Sequence, residues 1–482
     1  MFHYSSISAY HEDLKKGATS CQQAVTFYLD QIRQYRDLNA FVNVYAEEAL
    51  QRAEALDRQR QQGRPLGKLH GVVIALKDVL CFQDHPVQAC SKILKGFTSI
   101  YHATAVERLL KEEAIIIGHT NCDEFAMGST NEHSAYGPVK NGIDTSKVPG
   151  GSSGGSAVAV QMDCCMVSLG TDTGGSVRQP ADFCGVLGLK PTYGRISRYG
   201  LIAYASSFDQ IGLFAKKVED LALVLEVISG PDELDSTAAV HPVEEFSRYL
   251  TTNLKPARIA YFKQALENEI LDPEIRAGME SLIQKLIQKG YKVEPIDFEY
   301  INYVVPTYYI LTTAEASSNL SRYDGVKFGY RSPKKYLNLK DFYCQNRSEG
   351  FGWEVKKRVM LGTFVLSAGY YDAYFTRAQQ VRRLLMEKTK SIFKEFEYIL
   401  LPNSPTPAFP IGSHTKDPIA LYLADIFTVF SNLTGLPAIS LPLFWHSNGL
   451  PFGVQVMANH FREKELFQLS QDWVVQFQVK RG

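Results

Sequence analysis

The chain has 482 residues, 45% of them hydrophobic and 21% charged, which excludes a disordered or fibrous protein and leaves room for an extensive core. Lys plus Arg and Asp plus Glu number 51 each, so the bulk charge offers no footprint for nucleic acid or an anionic membrane. The eight cysteines include no CxxC pair and the eleven histidines no HExxH or Cys/His spacing, so neither a disulfide framework nor a zinc site is expected.

MFHYSSISAYHEDLKK, the first stretch, lacks the basic start and apolar core of a signal peptide. No apolar run approaches the ~18 residues that span a bilayer, so the expected location is cytoplasmic, away from membranes. From Thr19 to Arg36 apolar residues recur at three and four after a Thr/Ser start, the pattern of a capped amphipathic helix. A second helical stretch, AEEALQRAEALDRQRQQG, ends at Gly63. The period then changes: HGVVIALKD (70–78) and AIIIGHT (114–120) are β-branched runs without polar alternation, suited to strands buried on both faces, with ATAVERLLKEE as the helix between them.

Further strand candidates are MVSLGTDT, RIAYF, YKVEPI, EYILLP, AISLPLF and FGVQVMA, alternating with helices. The expected class is therefore α/β, with a large, mostly buried mixed sheet covered by helices on both faces. From Trp353 to Phe396 the chain reads as nearly continuous helix, broken near Gly369 and expected to cover one sheet face. Nothing cuts the chain, and we read one domain over 1–482, with a helical segment at 1–65 and the core at 66–482.

Two Gly/Ser loops carry the chemistry. PGGSSGGSAVAV (149–160) has the glycine spacing of a phosphate loop, but Ser156 stands where the lysine belongs, and no GxGxxG order is present. Its match to GxSxG at Ser153 lacks the preceding strand that a nucleophile elbow requires. A helix beginning near Gly155 would still offer free N–H groups and a positive dipole end, enough to polarise an oxygen.

The second loop, LGTDTGGSVRQPA (169–181), leaves the strand CCMVSLG and places Ser176 after Gly174 and Gly175. Such a turn uncovers backbone donors beside a hydroxyl, as an oxyanion hole needs, although a serine after a turn can equally be a cap. Lys77, directly after GVVIAL, ends a buried strand, where ligand sites of α/β sheets gather. Desolvation there would lower its pKa and let it act as a base, provided that Asp78 faces the other way.

Lys77, GGSSGGSA and GTDTGGSVRQPA, in this order and spacing, resemble the amidase signature family. DEFAMGST, KPTYGRISRYGLIAYASSFDQIG, EASSNLSRYDGVKFGYR, LGTFVLSAGYYDAY and NLTGLPAISLP are similar to its branch that hydrolyses glutamine for tRNA-dependent amidation. The resemblance implies a Ser-cisSer-Lys triad with Ser176 as nucleophile, Ser152 as bridge and Lys77 as base. It implies an oxyanion hole from the N–H groups of Thr173, Gly174, Gly175 and Ser176.

Free glutamine carries an α-carboxylate and an α-ammonium, and the resemblance assigns Arg358, in WEVKKRVMLGTF, to the first and Asp425, in LYLADIFT, to the second. Gly128, Ser129 and Tyr309, the last with Tyr308 as the alternative, would line the pocket. Asp172 and Arg178 are expected to organise the loop rather than react. By the same resemblance the chain needs no metal or cofactor. Its ammonia would pass to a B subunit that uses ATP and Mg²⁺ to activate Glu-tRNA(Gln) or Asp-tRNA(Asn), with a C subunit completing a heterotrimer. A free-standing amidase acting on another small amide is the alternative. The chain departs from the commoner pattern at Gly142 and in LCFQDHPVQACSKIL, which affects loop shape and leaves the triad pieces intact.

Overall fold

The structure is a computed structural model that describes residues 2, 4–250, 254–413 and 424–479. Eleven strands form one sheet: β1 (Phe41–Val44), β2 (Val73–Lys77), β3 (Ile115–Thr120), β4 (Val167–Thr171), β5 (Leu187–Lys190), β6 (Ile211–Ala215), β7 (Arg258–Phe262), β8 (Lys292–Ile296), β9 (Tyr398–Pro402), β10 (Ala438–Trp445) and β11 (Pro451–Ala458). Their spatial order is β1-β3-β2-β4-β6-β5-β10-β11-β9-β7-β8. β2 runs parallel to both β3 and β4, and β7 parallel to both β8 and β9, while antiparallel pairs join these two halves. Every residue of β2, β4, β6 and β11 is buried. Successive side chains of a strand point to opposite faces, so helices cover both faces of the sheet and the α/β expectation holds.

Local sequence explains the helix starts. Ser20 caps Cys21–Gln34 with a reciprocal pair to Gln23, closing the box that the Thr/Ser start announced. Asp272 caps Pro273–Gln288, whose first residue needs no hydrogen-bond partner for its missing N–H. Three strands lie outside the sequence expectations: β1, β5 and β6. FVNV has four residues between helices, while LGLK and IGLFA each carry a glycine and are too short to stand out from buried loops. The first 65 residues therefore contribute a strand as well as helices, and Tyr10, Cys21 and Tyr28 belong to the same apolar core as the sheet.

The helical stretch after Trp353 breaks where expected, with Gly369 at φ 87° between helix Trp353–Val365 and the π-helical turn Asp372–Thr376 that continues into Arg377–Ile392. It does not lie directly on the sheet. Helix Trp353–Val365 packs on helix Ile301–Asn319, so closely that a Cβ at Gly362 would run into the Thr313 carbonyl oxygen. Helix Ile301–Asn319 packs in turn on helix Arg377–Ile392 and on the short helix Val429–Thr434. Among the described residues, no helix is long and apolar enough to cross a membrane.

Candidate active site

Parallel neighbours β2 and β4 end at the same edge of the sheet, delivering Lys77 and Thr171 side by side. Lys77 is fully buried, and its Nζ lies 2.7 Å from Ser152 Oγ, 2.9 Å from Ser153 Oγ and 2.8 Å from Thr171 Oγ1. Burial lowers the Lys77 pKa, and nearby Cys122, Asp123, Cys90 and Asp172 oppose that shift without reversing it. Asp78 points elsewhere: its carboxylate accepts from the N–H groups of Gln88 and Cys90, and burial raises its pKa to about 7.

A neutral amine has two N–H donors and one lone pair, and the three hydroxyls compete for them unequally. Ser153 Oγ donates its own proton to the Thr171 carbonyl at 3.0 Å, so toward Lys77 it can only accept. With Thr171 taking the second N–H, the lone pair is left for the Ser152 hydroxyl. Ser153, the GxSxG serine, thus holds the lysine in place and does not face a substrate.

The loop around Ser152 is packed from several sides. Its Gly151–Ser152 peptide is cis. The Ser152 carbonyl accepts from Asp123 N–H at 3.1 Å, and Gly151 N–H donates to Gln179 Oε1 at 3.1 Å. A Cβ on Gly151 would strike the Asp123 carboxylate, and one on Gly155 the Asn121 carbonyl oxygen, so both positions require glycine for space. Ser153 N–H donates to the Ser176 carbonyl at 3.2 Å, tying the two Gly/Ser loops together. Of the three side chains expected to form the triad only Ser176 reaches solvent, at 8% exposure against 0% for Lys77 and Ser152.

Asp172 shapes the second loop. Its carboxylate accepts from Gly175 N–H at 2.8 Å, from Val177 N–H at 3.2 Å and from Arg178 at 3.0 and 3.1 Å. Burial opposes the charge, but Arg178, with Lys190 and Asn432, outweighs it and holds the Asp172 pKa at about 2. Arg178 in turn donates to the Thr428 carbonyl, Gln455 and Asn432, which leaves this buried ion pair well bonded.

One oxyanion-hole expectation is corrected here. Gly175 N–H is already engaged by Asp172, so its part is to hold the turn. The N–H groups of Thr173, Gly174 and Ser176 meet no acceptor among the described residues and remain available to an oxyanion. Gly175 also needs to be glycine: its φ is 130°, and a Cβ would collide with Thr428.

The two charges expected to grip the ends of glutamine lie in one buried cluster. Arg358 Nε donates to Glu354 Oε1 at 2.8 Å and Nη1 to Tyr204 Oη at 2.9 Å, while Nη2 has no acceptor among the described residues. Burial opposes ionisation of Glu354, yet Arg358 and Lys357 keep its pKa at about 2. Asp425 Oδ2 accepts from Ser129 Oγ at 2.6 Å and Tyr309 Oη at 3.2 Å. Burial raises its pKa to about 7 against the pull of Ser129, Arg358 and Tyr309. The residues just before Asp425 in LYLADIFT, 421–423, lie outside the described part.

Both tyrosines reach the site. The Tyr309 ring lies 5.5 Å from the Arg358 guanidinium carbon, and the Tyr308 hydroxyl sits where a Cβ of Gly174 would be. Gly128 backs onto the Asp123 carboxylate, with no room for a side chain. Tyr204, Glu354, Thr171 and Thr428 were not singled out by the sequence reading. Only Glu354 carried a local signal, four residues before Arg358 on a helix.

A sheet edge that presents a buried lysine, two linked serine loops and free backbone donors defines an amide-cleaving enzyme class, and the comparisons agree. The amidase family model matches residues 23–467, and the chain belongs to that family. Within it, the chain is 48% identical over 471 residues to the A subunit of glutamyl-tRNA(Gln) amidotransferase from Chlorobium phaeobacteroides (strain BS1), covering 98% of each chain. Among solved structures, the A subunit of the Thermotoga maritima enzyme is 36% identical with a TM-score of 0.77, over 95% of this chain and 92% of that one. A protein from a vestigial complex linked to the origins of an s-triazine catabolic enzyme is 28% identical with a TM-score of 0.86, over 99% and 100%.

Proposed function

We propose that this chain is the glutamine-hydrolysing subunit of a tRNA-dependent amidotransferase. The observation that carries the reading is the Lys77 Nζ to Ser152 Oγ contact of 2.7 Å, made in a loop that is itself bonded to Ser176. Neutral Lys77 draws the Ser152 proton as Ser152 takes that of Ser176, whose Oγ attacks the side-chain amide carbon of glutamine. The oxyanion meets the N–H groups of Thr173, Gly174 and Ser176, of which one is typically worth ~2.7–4 kcal/mol in the transition state.

The protons return along the same path to the leaving nitrogen, releasing ammonia. Water then attacks the acyl-Ser176 ester and frees glutamate. Arg358 holds the α-carboxylate with its remaining N–H groups, and Asp425, with Ser129 and Tyr309, holds the α-ammonium. This pairing favours free glutamine over an uncharged amide.

Nothing in the proposed steps calls on a metal or organic group in this chain. The partners are a B subunit, which spends ATP with Mg²⁺ on Glu-tRNA(Gln) or Asp-tRNA(Asn) and receives the ammonia, and a small C subunit; the whole assembly works in the cytoplasm. Residues 1–482 act as one amidase domain.

Glutamate release by the purified chain, alone and with its partners, tests the reading against a Ser176→Ala control. The wild-type assembly is expected to release glutamate and the alanine variant to fail. Full activity in that variant, or hydrolysis of neutral amides in preference to glutamine, would refute it.

A further inference from the structure

The segment 204–210 touches two parts of the site that are far apart in sequence. At one end, Tyr204 Oη accepts from Arg358 Nη1 at 2.9 Å. At the other, Asp209 Oδ1 accepts from Thr173 Oγ1 at 2.8 Å, and the Thr173 N–H is one of the donors near Ser176 that meet no acceptor among the described residues.

Asp209 joins the two ends. Its Oδ2 accepts from the N–H groups of Tyr204 and Ala205, both at 2.9 Å, while its own N–H donates to the Ala205 carbonyl at 2.8 Å. The next residue repeats the tie to the Ser176 loop, with the Gln210 carbonyl accepting from Asp172 N–H at 2.8 Å. Arg358, Tyr204, Asp209 and Thr173 are 4%, 1%, 3% and 1% exposed, so bulk water does not compete for these bonds. Burial raises the Asp209 pKa to about 6 against the pull of Thr173, Ala205, Arg198 and Tyr204, which leaves the carboxylate mostly ionised at neutral pH. Three neutral donors satisfy it, and no ion pair among the described residues holds it independently of them.

We propose that Asp209 is a positioning residue for amide cleavage, linking the Arg358 guanidinium, through Tyr204, to the oxyanion donor Thr173. The inference rests on the function proposed above. The α-carboxylate and the reacting amide of glutamine are separated by a flexible aliphatic chain, so the substrate itself cannot align one end by seating the other. The protein does it instead: a carboxylate seated on Arg358 fixes Tyr204, Tyr204 and Asp209 fix each other, and Asp209 fixes the Thr173 N–H. Binding at a remote group then serves orientation at the reacting centre.

The test is a double-mutant cycle on glutamate release by the full chain with its partners. Thr173→Val removes the hydroxyl and keeps the N–H, while Tyr204→Phe removes the bond to Arg358 and keeps the ring. Thr173→Val is expected to lower kcat ~10-fold with KM for glutamine little changed, and Tyr204→Phe to lower kcat ~10-fold while raising KM. In the double variant kcat stays ~10-fold down, because a link cut at one end is already cut, whereas independent packing defects would multiply to ~100-fold. Asp209→Asn still accepts from Tyr204 and Ala205 and has an amide N–H to give Thr173 Oγ1, so it keeps kcat within ~3-fold of wild type. Thermal melting checks that each variant is folded, and Thr173→Ala takes the place of Thr173→Val in the cycle where the latter is not. Losses that multiply, an unchanged kcat in the Thr173 variant, or an Asp209→Asn loss as large as that of Thr173→Val each overturn the inference. A wild-type assembly that releases no glutamate refutes the functional reading itself. Active glutaminase with multiplying losses refutes only the part given to Asp209.

Discussion

Glu354 and Arg358 are bonded one helical turn apart, Oε1 to Nε at 2.8 Å, with both side chains buried. The carboxylate fixes the guanidinium plane from behind, and Tyr204 Oη fixes one of its two terminal nitrogens. What remains for a substrate carboxylate is a small, oriented set of donors. Lysine cannot serve Glu354, Tyr204 and a substrate with the same geometry. Arg358→Lys is thus expected to raise KM for glutamine ~10–100-fold with a smaller change in kcat, and Glu354→Gln to raise it less. Steady-state glutamate release reads both. An Arg358→Lys variant with normal KM would remove Arg358 from the carboxylate site.

In the proposed role of Asp425 as the α-ammonium partner, glutamine recognition depends on pH. With its pKa raised to about 7 by burial, the carboxylate becomes neutral below that value and loses the α-ammonium. kcat/KM for glutamine should fall as pH drops through about 7, more steeply than for an N-acetylated glutamine, which has no ammonium and reports Lys77 alone. Parallel profiles for the two substrates would count against this role.

The same shift affects stability with a definite sign. Between the unfolded value near ~3.9 and about 7, the folded protein holds a proton that the unfolded chain has lost. This contribution is present at low pH and is lost as pH rises through about 7. Asp425→Asn should therefore gain thermal stability relative to wild type at pH 8 and gain little at pH 5, while binding glutamine poorly. Melting curves at the two pH values check the difference.

Asp172 and Arg178 hold the Ser176 loop through a fully buried pair. Arg178→Met leaves a buried carboxylate uncompensated, at a cost of about 3–5 kcal/mol, and frees the turn that presents Ser176. Denaturant unfolding should show a large drop in stability together with loss of glutamate release.

Gly175→Ala adds a single methyl group, but at φ 130° and against Thr428. The expected result is glutamate release reduced at least ~100-fold with KM little changed, because the strained turn moves Ser176 and its neighbouring donors. Normal kcat would show that this turn tolerates a side chain.

Much of the candidate site was legible in the sequence because its pieces sit in short, distinctive runs. The apolar strand ending at Lys77 and the two Gly/Ser loops announced themselves; the two β-branched runs became β2 and β3, and MVSLGTDT became β4. Contacts between distant segments were not legible. No local pattern told that Thr171 and Ser153 would enclose the lysine, that Tyr204 would meet Arg358, or that Gly175 would spend its N–H on Asp172. The short strands β1, β5 and β6 were missed for a related reason: β5 and β6 become strands through the neighbours that pair on both sides. That helix Trp353–Val365 packs on helix Ile301–Asn319 is likewise a matter of packing rather than of periodicity.

Lys77 and Thr171 end two strands buried on both faces, whereas Arg358 rides on a helix in an outer layer. These two parts of the site belong to regions of unequal local stability. The backbone amides of β2 and β4 should exchange with deuterium only when the whole molecule opens, while those of helix Trp353–Val365 exchange through cheaper, partial openings. Affinity for substrate can then be adjusted, or lost, by motions that leave the reactive centre assembled.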